Sequence, residues 1–254
     1  MPIQASTLAL VRCLRWVDKV ESIVIQGVFI GKVEESWGGL LSDIGKLETH
    51  QEVWLGAEGL PGDARADLRR DGGLDRALHH YPAEHYRHWR KQHPQTRWRQ
   101  PAFGENLSTF GLNEQEVCIG DLFRWGEALI EVSQPRSPSY RLAKRWNLPE
   151  LPFEVQEQGR CGWFYRVRRS GMVAPDAPLE LVQRHYPQLT VASLLDWYFG
   201  HPLERTGLRL MMACDALSLR WRKTAAQRLT SGVLEDWTAR LAGPECSEQG
   251  GLQG

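Results

Sequence analysis

The stretch "VCIGDLFRWGEALIEVSQP" (117–135) sets two apolar runs on either side of Gly126-Glu127, the clearest hairpin signal in the chain. A turn that tight commits its flanks to antiparallel pairing. Further strands are expected at "IVIQGVFIGKVEE" (23–35), where an internal glycine marks a kink or bulge, and at "EVWLGAEGLPGD" (52–63), which runs into a Gly-Pro-Gly turn. "GWFYRVR" (162–168) and "PLELVQR" (178–184) complete the set. Between them, Pro82 is placed to open a short helix through "AEHYRHWRKQ" (83–92). Short strands with Gly/Pro punctuation and inserted helices argue for an α+β fold, mostly a β-barrel-like domain.

Past about residue 188 the hydrophobic period changes. "TVASLLDWYFG" opens on a Thr190 cap, "PLERTGLRLMMAC" opens on Pro202, and 217–243 supplies one or two more helices with Leu234, Trp237 and Leu241 on one face. This predicts a small all-α C-terminal domain whose stripes are packing surface and whose Arg/Lys cluster at 220–228 is a solvated face. The expected division is an extension at 1–24, a main domain at 25–186, helices at 190–242 and a disordered tail at 243–254. Residues 8–19 read either as a short amphipathic helix or as a loose extension.

Lysine plus arginine and aspartate plus glutamate both number 31, so the overall field gives no reason to expect nucleic acid or an anionic membrane as partner. The five cysteines are scattered without a CxxC pair, which fits reduced thiols and a cytoplasmic protein better than a disulfide framework or a structural zinc site. No apolar run approaches membrane-spanning length.

Four segments carry residues suited to chemistry. In "RRDGGLDRALHHY" (69–81) a glycine pair beside arginines suits an oxyanion, or is a tight turn with surface charge. In "PAFGENLSTFGL" (101–112) Asn106 offers a donor and an acceptor in one plane, although a turn closing a strand explains the pattern equally well. His79, His80, His85, His88 and His93 raise the question of zinc, but HExxH is absent and surface helix decoration is the expected reading. In "SQPRSPSY" (133–140) two prolines would hold Arg136 and Ser139 in fixed directions at a strand end. With no GxSxG elbow in the chain, a seryl nucleophile is not expected.

Taken in order, "DGGLDRALHHYPAEHY", "PAFGENLSTFGL", "GDLFRWGEALIEVSQPRSPSYRL" and "GWFYRV" resemble the MOSC domain of the YiiM-like bacterial type, over roughly residues 25 to 186. The helical end is similar to the three-helix domain that follows MOSC in that subgroup. The resemblance implies a β-barrel-like fold that holds molybdenum cofactor, a molybdopterin, and reduces N-hydroxylated small molecules with electrons from a separate donor protein. It places Arg70, Asp71, Gly72, Gly73, Asp75, Arg76, Glu105, Asn106 and Arg136 in cofactor contact, with Arg136 beside the metal and Ser139 at the metal-ligand position. Arg136 and Ser139 are thus the implied catalytic pair.

The chain departs from the family at two places. Serine stands at 139 where the family presents cysteine, and Asp71 stands where histidine usually precedes the glycine pair. A thiolate forms near neutrality beside a metal, whereas an alkoxide needs strong polarisation. Asp71 also adds negative charge where an anionic cofactor approaches. Cys161 is the next thiol along the chain. The alternatives implied are a non-catalytic MOSC-type module that binds cofactor or another anion, and a degenerate scaffold whose helical end recruits partners.

Overall fold

The computed structural model describes residues 15–16, 22–31, 34–36, 40–42, 45–63 and 73–244. Its strands are β1 (Arg15–Trp16), β2 (Ser22–Ile23), β3 (Ile25–Gly31), β4 (Glu34–Ser36), β5 (Leu40–Ser42), β6 (Lys46–Glu48) and β7 (Val53–Leu55). They continue as β8 (Leu78–His80), β9 (Leu107–Thr109), β10 (Leu122–Trp125), β11 (Ala128–Pro135), β12 (Trp163–Arg169), β13 (Gly171–Val173) and β14 (Leu179–Arg184). The helices are α1 (His85–Gln92), α2 (Tyr140–Trp146), α3 (Leu151–Glu157), α4 (Val191–Leu195), α5 (Arg205–Ala213), α6 (Leu219–Ser231) and α7 (Thr238–Leu241).

One ten-stranded mixed sheet runs in the order β1-β14-β10-β11-β12-β8-β9-β3-β6, with β2 also on β14. Among the described residues no pairing joins β1 to β6, so the architecture is α+β with a large sheet and the expected barrel closure is not seen. Every pairing in the sheet is antiparallel except β8 with β9, where His80 lies opposite Leu107. The hairpin forms as expected, with Trp125 opposite Ala128 and Gly126 at φ 54 in the turn. The glycine inside β3 does mark an irregularity, because its register against β9 shifts between Ile25 and Gly27. Of residues 8–19 only Arg15 and Trp16 are described; they form β1, which like β2 pairs with β14, and the rest of the segment expected as a helix or an extension lies outside the described residues.

A second irregularity decides where the site lies. Register between β11 and β12 shifts between Val132 and Gln134, leaving Ser133 as the extra residue. Its carbonyl turns outward to accept from Ser218 N at 2.9 Å, which docks the start of α6 on the sheet. Pro135, which has no N–H to give, ends the ladder opposite Trp163. Arg136 N then donates to Gly162 O at 3.0 Å. Gly162 has φ 68, and a Cβ there would fall 2.2 Å from His80 O, so only glycine lets β12 begin this close to β8.

An aromatic box holds α1 against the sheet. Tyr81 stacks on Phe103 at 4.1 Å between ring centres, Trp98 lies nearly parallel to Phe103, and Trp89 Nε1 donates to the Tyr81 hydroxyl at 2.6 Å. Burying these side chains contributes roughly 1.5–3 kcal/mol each.

Several expectations are corrected. Helix α1 begins at His85 rather than at Pro82, whose carbonyl instead accepts from His85 N in a turn. Thr190 does cap α4 through its Oγ1, but α5 begins at Arg205 with Glu204 accepting from Thr206 N and Gly207 N, and Pro202 lies outside it. Leu234 is not helical, so it shares no helix face with Trp237 and Leu241. Arg228, expected on a solvated face, is buried; its guanidinium binds both oxygens of Glu235 and Tyr198 O and lies 4.0 Å from the Tyr198 ring centre. Gly243, expected to open a disordered tail, is buried, and residues 245–254 lie outside the described ones.

Candidate functional site

A cavity of about 400 Å³ lies where β8, β9 and the end of β11 meet the C-terminal helices. The sheet side contributes Lys46, Asp63, Arg76, His79, Asn106 and Arg136. Ser137, Ser139 and Arg141 come from the segment entering α2, and Arg220, Trp221, Thr224 and Arg240 come from α6 and α7. Of the charged side chains in this wall, Lys46, Arg76, Arg136, Arg141, Arg220 and Arg240 are cationic, against the acids Asp63, Glu235 and Asp236. Such a surplus in a partly enclosed space favours an anionic ligand.

The structure therefore brings Arg76, Asn106, Arg136 and Ser139 together from three of the four sequence segments. Arg76 lies 4.3 Å from the centre of the Phe164 ring, which fixes its approach to the cavity. Ser139 caps α2 by position only: its backbone is extended and its side chain makes no capping bond, which leaves a half-buried hydroxyl in the cavity wall.

Asn106 is tied into the frame. Its Oδ1 accepts from His79 N at 2.9 Å, and its Nδ2 donates to Phe29 O at 3.0 Å and Asp63 Oδ2 at 2.8 Å. Both amide hydrogens are thus used within the protein, so its expected role of reading a ring edge gives way to one of holding the wall.

Other expected contacts fall elsewhere. Glu105 is fully buried away from the cavity, accepting from the Tyr86 hydroxyl and from Phe103 N at 3.1 Å, and burial raises its pKa. Asp75 does not line the cavity; its Oδ1 accepts from Arg166 Nε at 2.7 Å. Gly73 is exposed and at φ 103 starts the turn that carries Arg76. Arg70, Asp71 and Gly72 lie outside the described residues.

Cys161, the next thiol after Ser139 in the chain, does not line the cavity. It is fully buried, its thiol donates to Val155 O, and burial raises its pKa above the usual thiol range. Among the described residues no cysteine lines the cavity.

Four of the five histidines are not surface decoration, and only His88, half-buried on α1 and bonded to Gln92, is placed as expected. His79, His80, His85 and His93 are buried. His85 Nε2 pairs with Glu114 at 2.7 Å, His93 Nε2 with Glu154 at 2.7 Å, and the His80 ring lies between Tyr165 OH and Thr109 Oγ1. His79 differs from these: it is 4 % exposed and lines the cavity, and its ring lies against the backbone of Gly104 and Cys161 with Nε2 shut off from solvent. Burial first, then the charges of Arg136 and Lys46, lower its pKa well below 6.5, so the ring is neutral at pH 7. Among the described residues no three His, Cys, Asp or Glu side chains assemble into a metal site.

Sequence reasoning missed Lys46 and Asp63. The Lys46 ammonium lies 2.8 Å from the Asp63 carboxylate, which also accepts from Gly31 N at 3.0 Å. No local pattern marks this pair, because its meaning comes from Asn106, 43 residues beyond Asp63. It also missed the contribution of the helices, whose residues form a whole side of the cavity.

A family model described as MOSC domain matches residues 67–180, and one described as YiiM-like, 3-alpha helix domain matches 189–232. The chain is 42% identical over 220 residues to Protein YiiM of Escherichia coli (strain K12), covering 85% of this chain and 97% of that protein. The crystal structure of YiiM from Escherichia coli superposes with a TM-score of 0.76 at 37% identity, covering 88% of this chain and 100% of that one. A protein named Reductase from Gibberella moniliformis (strain M3125 / FGSC 7600) is 34% identical over 160 residues, 62% of this chain but 28% of its own length. With both regions matched in order and one bacterial relative covered almost end to end, the chain belongs to the YiiM-like family of MOSC domain proteins.

Proposed function

We propose that this protein reduces N-hydroxylated small molecules with molybdenum cofactor held in the cavity between the sheet and the C-terminal helices. The single observation that carries the reading is the cationic wall around Arg136. Guanidinium groups in a partly enclosed wall attract and hydrogen-bond phosphate oxygens, so an anionic pterin phosphate is suited to this space. The residues present therefore fit the anionic part of the group. At the metal they offer the Ser139 hydroxyl in place of a thiol.

In this reading Arg76, Arg136 and Arg141 would hold the anionic cofactor, with Ser139 at the position implied for the metal ligand. Lys46, Asp63 and Asn106 keep the wall in place. When bound, the cofactor supplies a two-electron couple. The N–O bond of the substrate breaks, the nitrogen gains a hydrogen, and the oxygen leaves as water with two protons and two electrons consumed. The electrons come from a separate flavin or iron-sulfur protein. The name carried by the fungal relative supports a reductive chemistry. A cytoplasmic setting, a barrel-like closure of the sheet and a domain boundary near 186–190 belong to the same reading. So does the absence of nucleic acid and membrane from its partners; among the described residues no helix is long and apolar enough to cross a membrane.

Protein produced in a molybdenum-competent host, given a hydroxylamine and a chemical electron donor, is expected to yield the corresponding amine. A molybdenum-loaded protein that yields none contradicts the proposal. A second reading, a module that binds the cofactor or another anion without turnover, is favoured by the absence of a thiol from the cavity wall among the described residues. It predicts cofactor retention without amine formation.

A further inference from the structure

The segment that carries Ser139 is held from outside the MOSC domain. Arg240, on α7, donates from Nη1 to Pro138 O at 2.6 Å and from Nη2 to Gln156 Oε1 on α3 at 2.6 Å. Its guanidinium also lies 5.1 Å from the centre of the Phe199 ring and 5.7 Å from that of Trp237. The planar fork is thus fixed by two acceptors at its tip and two rings along its sides. Two further contacts join the same parts. Ser218 N reaches Ser133 O at 2.9 Å, and Gly243 lies against the first residue of α2, where a Cβ would be in ordinary contact with the Tyr140 ring at 3.6 Å.

We infer that Arg240 is a positioning residue for the Pro138–Ser139 segment, so that the three-helix unit is part of the ligand site rather than a separate partner-recruiting module. As a statement about the metal-ligand position, this rests on the cofactor reading of the cavity. As a statement about the loop, it stands on the contacts alone. The reason is geometric. Arg136 is fixed on one side by its bond to Gly162 O, and Leu142 N returns to Ser139 O at 3.0 Å on the other. Between those anchors, Ser139 lacks the side-chain capping bond that usually fixes such a residue. The clamp on the preceding carbonyl supplies that restraint from α7. A lysine at 240 has no planar fork and can engage Pro138 O or Gln156, but not both with the same geometry.

Amide hydrogen exchange on the full-length protein without cofactor tests this directly. In Arg240→Met, exchange at Arg136 and Leu142 is expected to speed up by about tenfold or more, with Val132 in the hairpin unchanged. Arg240→Lys should restore most of the protection, and Gln156→Ala should lose less than Arg240→Met. If Arg240→Met loosens α7 alone and leaves Arg136 and Leu142 at wild-type rates, the inference is overturned. If that variant does not fold, the Gln156→Ala protein decides: wild-type exchange at both amides overturns the inference, and faster exchange there supports it. Calorimetric titration with inorganic phosphate separates the two readings. Wild-type protein is expected to bind phosphate, and Arg240→Met to bind it at least about fivefold more weakly through the displaced loop. Absence of phosphate binding in wild type, with loop exchange still dependent on Arg240, counts against the cofactor reading and supports the clamp.

Discussion

Asn106 Nδ2 donates to Asp63 Oδ2 at 2.8 Å, joining the segment between β7 and β8 to the start of β9 inside the cavity wall. Because the same side chain also bridges Phe29 O and His79 N, it closes three segments at once. Asn106→Leu removes these bonds and leaves their partners buried, so a loss of about 3 kcal/mol is expected in urea unfolding. Phosphate binding should fall with it. Unchanged stability would show that the carboxamide is not the fastener described.

Ser139→Ala separates stability from ligand binding. Replacing an N-cap serine ordinarily costs about 1 kcal/mol, but here the side chain makes no capping bond. Denaturant midpoints should therefore differ by less than about 0.5 kcal/mol in stability, while bound molybdenum drops. A full capping loss would mean that the hydroxyl serves the helix and not the cavity.

His79 and His80 both have lowered pKa values, His80 to about 3 through burial. The unfolded chain takes up these protons near the ordinary 6.5, before the folded one does, so stability is lost as pH falls below 6.5. Each histidine contributes a slope of up to about 1.4 kcal/mol per pH unit between its two pKa values. His80→Gln and His79→Gln should each flatten the acid limb of the stability profile measured by urea unfolding from pH 7 to 4. An acid limb as steep as that of wild type in both variants would contradict the assignment.

Cys118, Cys161 and Cys214 are buried, and burial raises the pKa of each, Cys118 and Cys214 to about 11. Thiolate is the reactive form, so native protein at pH 7.5 should leave these three unlabelled by iodoacetamide, with labelling after denaturation. Rapid native labelling of Cys161, read by peptide mass spectrometry, would reopen it as a replacement ligand.

Much of the fold was legible because it was written locally. The β10–β11 turn, the glycine irregularity in β3, the strands at 162–168 and 178–184 and the Thr190 cap all rest on neighbours in sequence. Helix starts at Pro82 and Pro202 were misread because proline is permitted at a first turn without requiring one, and Glu204 supplied the actual cap. Of the site, Arg76, Asn106, Arg136 and Ser139 were found through ordered motifs, while Lys46, Asp63 and Arg240 were not. Their roles depend on partners far along the chain, as Arg240 does on Pro138, and no periodicity records such contacts. The buried histidines show the same limit, since a helical spacing cannot say which carboxylate waits opposite His85.

The most direct test is molybdenum content, measured by elemental mass spectrometry on protein purified from a molybdenum-competent host, for wild type, Arg136→Met and Ser139→Cys. Near-stoichiometric metal is predicted in wild type, at least as much in Ser139→Cys, and little in Arg136→Met. Folded wild-type and Ser139→Cys proteins that both carry none would contradict a cofactor site in this cavity.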